Sequence, residues 1–230
     1  MKRGEERMTD TGQSVKYLDY ENFKRIVIRN YGEGSIVHGE LDDRWTYHSR
    51  VIDILRSAKV TRPEQVLEVG TMGTQLVQGA DTLDYAEKWN FEGLDPTYWH
   101  DARVAPWPIP DKQYEWLVAM RVFHHLYPAQ REAFQEARRV ARNVVIIVPR
   151  VAPQRAPTDR GITPMQFYRW NGGIPPMLWE PVPVFGSLYV WSDREPPMLQ
   201  GAFWWRAGVT NAKLMVKKLV RTLEKLVGTR

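Results

Sequence analysis

The stretch VLEVGTMG, residues 66–73, constrains this chain more than any other. An apolar run carrying one acid ends there in a glycine, and a second glycine follows three residues on. Val66, Leu67 and Val69 suit a strand buried on both faces, where apolar residues need not alternate with polar ones. Gly70 and Gly73 permit a turn that a Cβ would obstruct, and they let a ligand approach the backbone at the strand's carboxyl end. An ordinary glycine turn is the competing reading of the same residues.

The flanking segments favour a ligand site. Trp45, His48, Val51, Ile52, Leu55 and Ala58 recur at helical spacing, which predicts an amphipathic helix leading into the strand. After the glycines, residues 80–85 read as a second strand ending in Asp84. Residues 91–94, ending at Asp95, compete for that role, but Asp95 lies six residues before Asp101 and leaves no room for a crossover. Residues 98–102 read as a third strand and residues 114–120 as a fourth. A surface helix is predicted over 128–142, capped by Asn143. Residues 144–148, VVIIV, form the strongest strand signal. Beyond it prolines and glycines multiply, predicting loops over 151–197 with one further strand-like stretch at 182–191, paired at a sheet edge through residues 187–190. Helices alternating with strands predict an α/β, doubly wound, Rossmann-like and mostly parallel sheet.

Composition narrows the chemistry. The 230 residues include no cysteine, which excludes disulfides, thiolate metal sites and cysteine nucleophiles and fits a cytoplasmic protein. The charged start lacks the apolar core of a secretory signal and reads as a flexible leader over 1–14. The net charge of +5 is modest and partly gathered near the C-terminus. There Ala212, Met215, Val216, Leu219, Leu223, Leu226 and Val227 share one face of a predicted basic amphipathic helix. That tail, 201–230, suits peripheral membrane contact, a homodimer through 209–227, or docking on its own domain.

In their order and spacing, VLEVG, Asp84, HDA at 100–102, PWPIPDKQYEWLVAMRVFHHL and the helix REAFQEARRVARN before VVIIVP resemble a class I S-adenosylmethionine-dependent methyltransferase of the type 11, small-molecule kind. The resemblance spans roughly residues 65–149. It implies a single methyltransferase-like domain over 15–200, with a cofactor half at 60–150 and acceptor-covering loops at 151–200. It also implies S-adenosyl-L-methionine as cofactor. Glu68, Gly70, Thr71, Met72 and Gly73 would form the turn at its methionine end, Asp84 would accept from the ribose hydroxyls, Asp101 and Ala102 would take the adenine, and Met120 and Arg121 would line it. Met72, bulkier than the family's usual residue between the glycines, allows the alternative of a non-catalytic binding or scaffold protein.

Methyl transfer needs proximity, alignment and, for some acceptors, removal of a proton. His124 and His125 are the candidate catalytic residues, because they follow the fourth strand and titrate near neutrality. The competing arrangement buries His125 in the core and leaves His124 exposed. His100 reads as structural, and the histidines lack the third ligand a metal site requires. Tyr168, Trp170, Asn171, Trp179, Tyr189 and Trp191 could stack on an acceptor or pack over the sheet. No acceptor motif of nucleic-acid or protein amino-methylating enzymes is present. The expected partner is therefore a small-molecule acceptor, such as a saccharide or glycolipid precursor, and not nucleic acid.

Overall fold

The computed structural model describes residues 15–85, 95–149, 157, 159–182 and 185–209. The expected leader and residues 210–230 of the expected tail lie outside them. Three helices come first: α1 (Tyr20–Tyr31), α2 (Ile36–Gly39) and α3 (Leu41–Ser57). The order continues through β1 (Val66–Val69), β2 (Asp81–Asp84), β3 (Tyr98–Trp99), β4 (Tyr114–Met120), α4 (Gln130–Val140), β5 (Ala141–Val148), α5 (Pro164–Trp170), β6 (Leu178–Val182) and β7 (Gly186–Ser192). Residues 200–209 are helical.

Among the described residues the strands form one seven-stranded sheet in the order β3-β2-β1-β4-β5-β7-β6. β1 to β5 run parallel, and β7 is antiparallel to both of its neighbours. This is the doubly wound, mostly parallel sheet expected of the class I methyltransferase fold. Its order reverses between β1 and β4, and such a switch point opens a crevice at the strands' carboxyl ends.

Alternation along the strands builds two apolar layers. Leu67, Val69, Leu117, Ala119, Val144, Ile146 and Val148 face Phe134, Ala137 and Phe167 of α4 and α5. Val66, Trp116, Val118, Val145 and Ile147 face Val51, Ile52 and Leu55 of α3 on the other side. Both faces of the central strands are therefore covered, which is why VVIIV carries no polar residue.

Four local expectations are corrected. Asn143 is no helix cap: α4 ends at Val140, and β5 starts at once because Ala141 and Asn143 pair with Tyr114 and Trp116. The Asn143 amide donates to the Glu115 carbonyl at 2.8 Å, so a residue with the chemistry of a cap stabilises the strand ladder instead. The strand-like stretch at 182–191 resolves into a hairpin, β6 and β7, and residues 187–190 pair on both sides while β6 takes the edge. The third strand is only two residues long. The region read as loop-rich thus contributes α5 and two strands.

Candidate functional site

A cavity of about 570 Å³ opens at the carboxyl ends of β1, β2, β3 and β4. Its floor is the turn after β1. Gly70 has φ +65°, and a Cβ there would lie 2.6 Å from Val122 Cγ2, so this position requires glycine on both counts. The Gly70 N–H donates to the Leu83 carbonyl at 3.0 Å, tying the turn to β2. Met72 also adopts a positive φ, 48°. The Tyr31 hydroxyl lies 3.7 Å from its sulfur, so the methionine is tied to α1 and the cavity persists beside it.

Glu68 braces the turn from beneath. One carboxylate oxygen accepts from the Leu76 N–H at 2.9 Å and the other from the Val77 N–H at 2.8 Å. Burial pushes this carboxyl up to about 7, although the two N–H donors favour its ionised form.

Asp84 ends β2 and accepts from the Tyr85 N–H at 2.8 Å. It lines the cavity, whereas Asp95 lies outside the strands and outside the lining. Asp101 takes a forked pair from Arg103, whose terminal nitrogen lies 2.6 Å from one carboxylate oxygen. Burial alone would raise the Asp101 carboxyl, but the Arg103 hydrogen bonds and charge outweigh it and hold the group below its usual range. Arg103 also spans to the Tyr85 hydroxyl at 3.3 Å, so the ends of β2 and β3 are joined across the cavity rim. Ala102 is fixed by the Trp107 indole N–H, which donates to its carbonyl at 3.1 Å.

After β4 the chain turns at Arg121, with φ +61° and its N–H donating to the Ile147 carbonyl at 2.7 Å. The Arg121 guanidinium sits 4.6 Å from the centre of the Phe185 ring. Phe123–His125 then forms a short 3-10 turn. The two histidines divide their roles in the opposite sense to the competing arrangement. His124 is buried, and burial, followed by the charges of His125 and Arg121, pushes it down to about 3. His125 leaves 54% of its side chain exposed and lines the cavity. Its Nδ1 lies 2.7 Å from Oδ1 of Asp159, a carboxylate 3% exposed.

The cavity therefore gathers Glu68, Gly70, Thr71, Met72, Asp84, Asp101, Ala102, Met120, Arg121, His124 and His125. Of the expected set only Gly73 stays outside the lining, buried behind the turn with φ +78°. His100 borders the cavity too, and its Nε2 contacts the Val104 carbonyl at 2.6 Å.

The opposite wall was not foreseen. It comes from the N-terminal helices, through Phe23, Val27 and Tyr31 of α1 and Arg44, Tyr47 and His48 of α3. Phe23, Val27 and Tyr31 recur every four residues, a helical stripe that does carry this signal in the sequence. The aromatic residues expected over the acceptor lie elsewhere. Trp179, Tyr189 and Trp191 are buried in the layer against α5, with Tyr168 and Trp170 packed on it. Asn171 caps α5. Among the described residues of 151–200 only Asp159 reaches the cavity. Nothing in the sequence pairs that aspartate with a histidine 34 positions earlier.

No family model and no curated protein matches the chain. Among solved structures, the chain is similar to an S-adenosylmethionine-dependent methyltransferase from Aquifex aeolicus, with 14% identity over 75% of this chain and 97% of that one and a TM-score of 0.43. It is also similar to an S-adenosylmethionine-dependent methyltransferase from Leishmania major, with 15% identity over 75% and 82% of the two chains and a TM-score of 0.46.

Proposed function

We propose that this protein is an S-adenosylmethionine-dependent methyltransferase acting on a small-molecule acceptor. One observation carries the reading: a cavity at the switch point of a doubly wound sheet gathers the strand-end residues to which the methyltransferase resemblance gives cofactor roles, apart from Gly73. Its volume of about 570 Å³ suits a cofactor with a compact acceptor rather than a folded polymer.

The residues present fit the cofactor. The glycine turn after β1 is free of a Cβ at Gly70, and Asp84 stands at the end of β2 as an acceptor for vicinal hydroxyls. Arg103 places two contacts on each Asp101 oxygen, so an adenine amine would take the place of part of that set. The bound group supplies an activated methyl, and the chain's own part is to align, exclude water and handle the acceptor's proton. The acceptor enters on the side walled by α1 and α3, where Tyr31, Arg44, Tyr47 and His48 present polar groups among Phe23 and Val27. A saccharide or glycolipid precursor would have to be recognised there.

Calorimetric titration with S-adenosylmethionine tests the reading. Binding is expected in the wild type, and Asp84→Ala is expected to weaken it about 10- to 100-fold, the worth of charge-assisted hydrogen bonds to hydroxyls. No heat and no thermal shift at saturating cofactor would overturn it.

A further inference from the structure

Resting on the methyltransferase reading, we propose that His125, positioned by Asp159, is the general base of this site and that the acceptor atom is a hydroxyl oxygen. The pair is built as a base needs to be. Asp159 is buried and holds Nδ1 of His125 at 2.7 Å, while the imidazole itself is half exposed on the cavity wall. An ionised carboxylate can only accept, so Nδ1 carries the hydrogen and Nε2 keeps its lone pair.

The surroundings hold the pair in register. The Arg160 N–H donates to the His124 carbonyl at 2.8 Å. The buried Gln130 amide donates to the Phe123 carbonyl at 3.0 Å and to the Arg160 carbonyl at 2.9 Å. The turn bearing His125 and the segment bearing Asp159 are thus clamped together twice. The His124 ring lies 3.7 Å away, centre to centre, tilted by 41°, and its burial keeps a second positive charge from forming beside His125.

This arrangement distinguishes acceptor chemistries. A carboxylate acceptor is already ionised and needs no base, and a thiol ionises close to neutrality unaided. An ammonium has no lone pair and must lose its proton before it attacks, so it gains little from a base acting as the new bond forms. A hydroxyl ionises near pH ~10 or above and gains most from proton removal as its bond to carbon forms. The acceptor oxygen forms the O–CH₃ bond while the S–CH₃ bond breaks with its electron pair retained on sulfur. The hydroxyl proton passes to His125 Nε2, Asp159 balances the imidazolium, and the proton then leaves to water.

The test uses the full chain with S-adenosylmethionine tritiated at the methyl and a protein-free small-molecule extract of the cells that produce it. Label in an alkali-stable, non-basic methyl ether is expected. His125→Ala should lower that rate about 100-fold, as loss of a general base does, and added imidazole should restore part of it. Asp159→Asn should lower kcat while the KM for S-adenosylmethionine and the melting temperature stay unchanged. Nitrogen-15 NMR of the imidazole should show the Nδ1–H tautomer in the wild type and its loss in Asp159→Asn. Label in an amine or an alkali-labile ester, an unchanged rate in His125→Ala, or no transfer while S-adenosylhomocysteine still binds would each overturn the proposal. Failure to bind S-adenosylhomocysteine would instead overturn the methyltransferase reading beneath it.

Discussion

Gly70 and Gly186 hold two backbone corners for different reasons. At Gly70 the left-handed φ and the Val122 side chain both exclude a Cβ, and the cavity floor depends on that turn. At Gly186, with φ +121°, a Cβ would lie 2.1 Å from the Val148 carbonyl oxygen, a backbone atom fixed in the β5 ladder. A β-carbon there cannot be accommodated by a rotamer change, because the obstacle is main chain. Gly186→Ala is expected to destabilise the fold by about 3–5 kcal/mol, among the larger effects of single substitutions, as measured by denaturant unfolding. Because Gly186 lies outside the cavity, cofactor affinity in the fraction that folds should match the wild type. Met72, the residue that most put the site in question from sequence, is accommodated by its own positive φ and by Tyr31, and it does not fill the cavity.

Among the elements, α4 does more than cover the sheet. Glu136 accepts from the Trp107 N–H at 2.7 Å and is gripped by Arg139, which in turn donates to the Trp107 and Ile109 carbonyls. The proline-rich loop is thereby fastened to the helix, and Trp107 passes the restraint to Ala102. Glu136→Ala would leave a buried N–H and a guanidinium short of partners, so a loss of about 2–3 kcal/mol is expected in chemical unfolding, with weaker cofactor binding from a loosened Ala102. β1 and β5 were legible as apolar runs that stop at Gly70 and Pro149, and β2 as a short segment ending in Asp84. The β6–β7 hairpin was legible only as one strand-like stretch over 182–191, because Pro181 hides β6 until β7 offers it a partner. Tertiary pairing likewise overrode the cap chemistry of Asn143. The strand-end lining of the cavity was legible from the same segments, whereas the stripe of Phe23, Val27 and Tyr31 marks a helix face without saying what it faces, and Asp159 lies 34 residues from the histidine it meets.

Among the described residues, His48, His124 and Glu68 are buried groups bordering the cavity whose titration is displaced within the range from about pH 3 to 7, and together they shape the pH dependence of stability. Burial lowers His48 from 6.5 to about 4, the opposing hydrogen bond to the Arg44 carbonyl notwithstanding, and His124 is lowered from 6.5 to about 3. A histidine with a depressed folded pKa contributes no penalty above 6.5, and stability is lost as pH falls below 6.5 because the unfolded chain takes up the proton first. Glu68 has the opposite sign. Its folded value is raised from 4.5 to about 7, so its contribution is fully present below 4.5 and is lost as pH rises through about 7. Between 4.5 and 6.5 two histidines act against one glutamate. Each group changes stability by about 1.4 kcal/mol per pH unit within its window, so the net slope is upward by about that amount. Above 6.5 only Glu68 remains, and the slope turns downward until about pH 7. Urea unfolding of the cofactor-free chain should therefore give a maximum near pH 6.5. Glu68→Gln should flatten the alkaline side of that maximum and steepen the acid side, at the cost of one of the two hydrogen bonds that brace the turn. A maximum displaced to pH 8 or above, or an alkaline limb unchanged in Glu68→Gln, would show that the carboxyl beneath the cavity is already ionised in the folded chain.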